Sequence, residues 1–89
     1  MSLSYVTPEW EHIANEITLF VIRRRENSEA EFQALAQTPM ILFNQWAQER
    51  GCAVASPDLA LWCLDYFRTL TKMPLERVRK AALLDGLLR

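Results

Sequence analysis

The chain is predicted to be all-α, a small compact bundle of four to five helices forming one domain over 1–89, and three observations predict it. All four prolines stand where a helix is expected to begin, and three of them follow a hydroxyl residue: Thr7-Pro8, Thr38-Pro39 and Ser56-Pro57, with Met73-Pro74 as the fourth. Proline suits the first helical position, where its missing N–H has no partner to lose, and a preceding hydroxyl can accept from one of the first free N–H groups. Between these starts, apolar residues recur at three- and four-residue spacing, the period of a helix with one buried face. Finally, 51% of the 89 residues are apolar, including three Trp and thirteen Leu, enough to build one core in a chain of this length.

A first helix is predicted over about 8–25. Trp10, Ile13, Ala14, Ile17, Phe20 and Val21 make its stripe, with Glu9 and Glu11 in the first turn and Arg23, Arg24 and Arg25 in the last, the order the helix dipole favours. Glu26-Asn27 ends it. Ser28-Glu29-Ala30-Glu31 then reads as a capping box opening a short helix over 28–37, buried through Phe32, Leu35 and Ala36. Thr38-Pro39 opens a third helix over 39–50, striped by Met40, Phe43, Trp46 and Ala47 and stopped by Gly51.

The run 51–55, Gly-Cys-Ala-Val-Ala, is apolar for a connection and is expected to lie against the core. A fourth helix over 57–71 buries Leu59, Trp62, Cys63, Tyr66, Phe67 and Leu70. Ala60 and Leu64 widen that face enough to place this helix at the centre, packed on two sides. The fifth, over 74–88, carries Leu75, Val78 and Ala82 on one face, whereas Leu83, Leu84, Leu87 and Leu88 point to several others. No internal repeat, low-complexity segment or long linker divides the chain.

The inventory excludes several function classes. A net charge of −1 offers no global attraction to nucleic acid or to an anionic membrane. Two cysteines, Cys52 and Cys63, and one histidine, His12, fall short of the four ligands a structural zinc site takes. Both thiols are expected to be free, Cys63 buried in a helix and Cys52 partly exposed beside Gly51. The opening MSLSYVTPEWEH has neither the basic start nor the apolar stretch of a signal peptide, and the apolar run around Ile17 to Ile22 is far short of the roughly 20 residues that span a bilayer. A cytoplasmic protein without membrane attachment is expected.

Catalysis finds no support in the residues. His12 could serve as a general base, but it falls on the polar side of the first helix and no motif ties a Ser or Cys to it. Two glycines cannot make a glycine-rich phosphate loop, and Asp58, Asp65 and Asp85 lack the spacing of a metal or paired-carboxylate site; Asp65 is expected to pair with Arg68. The protein is therefore read as non-enzymatic, with no cofactor, metal or small-molecule substrate indicated.

Nucleic-acid binding has three possible footholds. Arg23, Arg24 and Arg25 fan out at about 100° per residue, so they make no single patch, and Arg24 shares the sector of Phe20, where its stem can cover the core. The second and third helices could form a helix-turn-helix, but the leading residues of the third, Pro39, Met40 and Ile41, cannot read base edges. The remaining foothold is Lys72, Arg77, Arg79 and Lys80, basic residues around a helix start that the dipole makes unfavourable for them. A small regulator binding nucleic acid through this group is kept as the alternative.

The leading reading comes from apolar residues without an evident place in the core. Leu19 and Ile22 lie opposite the first helix's stripe, Leu61 falls among Asp58, Asp65 and Arg68, and Leu83, Leu84, Leu87 and Leu88 break the last helix's pattern. A contiguous apolar patch marks a partner surface. These seven residues are the candidate partner-binding set of an interaction or regulatory module that binds a second copy of itself, as a homodimer, or another protein.

Overall fold

The computed structural model describes residues 8–51, 54 and 56–88. The expected Thr7 cap and the Cys52 thiol lie outside these residues. Five helices follow in order: α1 (Pro8–Asn27), α2 (Glu29–Ala36), α3 (Pro39–Arg50), α4 (Pro57–Lys72) and α5 (Leu75–Leu84). The bundle is all-α as predicted, with a Cα radius of gyration of 12.7 Å, against about 12 Å for a compact chain of this length.

Local chemistry accounts for the boundaries, with corrections. Ser56 caps α4 as predicted, its side chain accepting from the Leu59 N–H at 3.1 Å. Thr38 makes no side-chain cap to α3; its carbonyl instead accepts from the Ile41 N–H at 2.9 Å. At α2 the capping box is half made. The Ser28 side chain accepts from the Glu31 N–H, while the Ser28 N–H that Glu31 was expected to satisfy donates to the Arg24 carbonyl at the end of α1.

Pro74 does not occupy the first helical position. Met73, as the residue before a proline, is held extended at φ −78°, ψ 143°. Pro74 is extended too, and its carbonyl accepts from the Arg77 and Val78 N–H groups, making it the cap of α5.

The end of α5 departs most from the predicted 74–88. The helix stops at Leu84, and Gly86 takes the left-handed conformation at φ 78°. The Leu87 N–H donates to the Ala82 carbonyl at 2.8 Å and the Gly86 N–H to Leu83 at 3.1 Å, the paired bonds of a Schellman cap. This reversal turns Leu87 and Leu88 back onto the core, where both are half-buried. No atom crowds the site where a Gly86 side chain would stand. Gly86→Ala is therefore expected to cost about 1–2 kcal/mol, the strain of a left-handed alanine, measured as a drop in urea-unfolding free energy.

The core forms where α1, α3 and α4 meet. Phe67 of α4 is fully buried and meets Phe20 of α1 edge-on at 6.0 Å and Trp46 of α3 at 6.1 Å. The predicted faces of α1, α2 and α4 bury as expected, but α3 is rotated from its predicted stripe. Leu42 and Trp46 are its buried pair, Phe43 and Ala47 flank them, and Met40 is exposed. Helix α4 packs on α1, α2 and α3 and is central as predicted; α1 shares that role, packing on α2, α4 and α5. Val54, in the connection between α3 and α4, lies against the core as expected.

The double coverage of α1 buries Ile22, at 2% exposure. Ile22 stands one turn before Glu26, which reaches Arg79 of α5 at 3.3 Å, so it faces the helix that covers it. On the α4 side, the buried Thr18 hydroxyl bonds the Tyr66 hydroxyl and the Ala14 carbonyl, both at 2.8 Å. Tyr66 stacks on Trp62, which meets Trp10 at 5.4 Å.

Candidate interaction surface

The predicted apolar set divides into three groups. Ile22 belongs to the core and offers no surface, a correction that follows from α5 packing on the far side of α1. Leu87 and Leu88 fold back through the Gly86 turn and pack on the core. Leu19 is half-buried and lines a furrow of about 310 Å³ between α1 and α3. Leu61, Leu83 and Leu84 remain outside, at 66%, 52% and 80% exposure.

Leu83 and Leu84 sit on a helix that is fixed in place. Val78 and Ala82 bury against the body with Leu75 packed beside them, which sets the rotation of α5 about its axis, and Arg79 reaches Glu26 of α1. With that side inward, Arg77, Lys80, Ala81 and Leu84 share the opposite side, at the i, i+3, i+4 and i+7 spacing of a single helical face, and all are exposed. Among the described residues, Arg77 and Lys80 form no ion pair. Leu61 projects from α4 directly opposite the buried Cys63 and Phe67 side. Exposed Asp58 and Asp65 lie one turn to either side, and Arg68 pairs with Asp65 at 3.3 Å as predicted.

The predicted basic group is split in the same way. Arg79 pairs with Glu26 of α1 across an exposed seam. Lys72 lines a shallow groove between α2 and α4 with Arg68, Gln33 and Pro39. Only Arg77 and Lys80 stand together on one outer face.

The arginine run of α1 has internal duties that its sequence disclosed only for Arg24. Arg25 is buried at 6% exposure. Its guanidinium donates to the Leu70 and Met73 carbonyls at 2.9 and 2.7 Å and to Glu29 at 2.8 Å, and lies over the Phe32 ring. It thus complements the negative end of the α4 dipole rather than only that of its own helix. Arg24 covers the Phe20 ring as expected and pairs with Glu49 of α3. The α1–α3 furrow is bounded by that pair and by Arg50–Glu16 at 3.2 Å, ion pairs that tie the two helices to each other.

His12 is exposed and lies 3.7 Å from Glu16, one turn away on the same helix. Cys63 is buried and free. Burial pushes its thiol up to about 11, against a smaller opposing pull from Arg50, so it stays protonated and a poor nucleophile at neutral pH. Among the described residues no helix is long and apolar enough to cross a membrane and no cluster of His, Cys, Asp or Glu could hold a metal. No protein-family description, curated protein or solved structure matches the chain.

Proposed function

We propose that the protein is a small interaction module that self-associates through the outer face of α5. The observation that carries this reading is Leu84, four-fifths exposed on a helix whose seat and both ends are fixed. Burying a leucine contributes about 1.5–3 kcal/mol, and the neighbouring Ala81 permits close approach of a second helix. Arg77 and Lys80, which form no ion pair among the described residues, add charge at the edge of the apolar contact, where it directs partner choice more than it raises affinity.

Light scattering coupled to size-exclusion chromatography tests the reading. The chain is expected to shift from monomer toward dimer as concentration rises, and Leu84→Glu is expected to weaken that association by at least about tenfold while leaving the helical content unchanged. A strict monomer at high concentration would remove the reading's main support.

A further inference from the structure

Two outer faces carry an exposed leucine among charges, with two aspartates and Arg68 around it on α4 and two cations before it on α5. On α4, Leu61 stands between Asp58, one turn before it, and Asp65, one turn after. On α5, Leu84 follows Lys80 by one turn and Arg77 by two. Asp58, Arg77 and Lys80 form no ion pair among the described residues.

We infer that the partner of the α5 face is the α4 face of a second copy of this chain, with Leu61 seated against Leu84. Setting the two leucines together brings an aspartate to Lys80 whichever way the helices run. In the parallel sense it is Asp58; in the antiparallel sense it is Asp65, one turn on from Leu61. The antiparallel sense also brings Arg68 against Arg77, two like charges, and leaves Asp65 shared with Arg68. The parallel sense, with Asp58 at Lys80, is therefore the favoured one.

A parallel α5–α5 contact between copies lacks this complementarity, because it sets Arg77 and Lys80 of one copy close to the same cations of the other, and an antiparallel one centred on Leu84 sets Lys80 opposite the end of the partner helix rather than an aspartate. Contact between unlike faces leaves one copy with an unused α4 face and the other with an unused α5 face. It therefore closes into a pair or ring when the geometry permits and otherwise extends as a chain.

The inference rests on the self-association proposed above, and the test separates the two. Sedimentation velocity is run on the full chain, on Asp58→Lys, on Lys80→Glu and on an equimolar mixture of the two variants, at low and high salt. The unmodified chain is expected to associate, and less so at high salt. Each variant alone sets like charges against each other and is expected to dissociate by about tenfold or more. The mixture is expected to recover the association of the unmodified chain, because each variant's altered face then meets an opposite charge on the other.

Asp58 lies in the first turn of α4, so thermal melts accompany each variant. Should Asp58→Lys melt, Asp58→Asn takes its place, and its mixture with Lys80→Glu is expected to associate more than Lys80→Glu alone. Association unchanged by Asp58→Lys, or a mixture no more associated than its parts, overturns the pairing of faces while leaving self-association in place. An unmodified chain that stays monomeric at every concentration overturns both.

Discussion

Replacing Arg25 by alanine is expected to destabilise the fold by about 2–4 kcal/mol, from the loss of two charge-assisted hydrogen bonds to main-chain carbonyls and of the buried side chain's packing. Its guanidinium holds the Leu70 and Met73 carbonyls, where α4 ends and has no further N–H groups of its own to offer them. Alanine leaves both carbonyls and Glu29 without this donor and opens space beside Phe32. Because α1, α2 and α4 meet at this one side chain, the loss falls on the whole bundle rather than on one helix end. Urea unfolding followed by far-UV circular dichroism checks it.

The same variant has a pH signature. The Arg25 guanidinium bonded to Glu29 holds its carboxyl below the usual carboxylate range, with the Gln33 amide assisting and partial burial opposing. A folded-state pKa below the unfolded one contributes stability that is present above the unfolded value and lost as pH falls through the folded value. The gap in stability between the unmodified chain and Arg25→Ala is therefore expected to narrow on the acid side of the ordinary glutamate pKa. Glu29 is 44% exposed in its side chain, so solvent screening keeps this part of the effect small.

Phe67→Ala is the second large effect, at about 3–5 kcal/mol. Phe67 has no exposure and contacts aromatic rings from two other helices. Removing it takes away the ring through which α1 and α3 are both attached to α4, and the rings left facing the gap are too large to collapse into it freely. In a domain whose total stability is on the order of 5–15 kcal/mol, this loss is expected to move the urea midpoint down by about a fifth or more. A midpoint within a tenth of the original would show that the three helices are held together elsewhere.

The boundaries that depend on local backbone chemistry were legible in the chain. Ser56-Pro57 and Gly51 act within one turn of themselves, and each does what its residue type favours. Gly86 carried the same kind of signal, a glycine followed by apolar residues, but counting leucines as far as Leu88 carried the predicted helix past it. The rotation of α3 was less accessible, since Met40 and Leu42 fit helical stripes about equally and only the seat of α3 on α2 and α4 selects Leu42.

Burial of Ile22 and Arg25 depends on residues far along the chain. Ile22 is covered because α5 returns to α1, and Arg25 is buried because α4 ends beside it. Neither fact is contained in the period of α1 alone. On the candidate surface, exposure of Leu61 was legible from its polar neighbours and that of Leu84 from its break with the face of Leu75, Val78 and Ala82; the closeness of Arg77 and Lys80 followed from their i, i+3 spacing, whereas the pairing of Arg79 with Glu26 required the seating of α5.

The most direct test of a self-associating α5 face is a concentration series of amide NMR spectra on the uniformly labelled chain. The account predicts concentration-dependent shifts concentrated at Leu83, Leu84 and the amides around Leu61, with little change along the α1–α3 furrow. Spectra that stay constant across the series, or shifts confined to the furrow lined by Leu19, would contradict it.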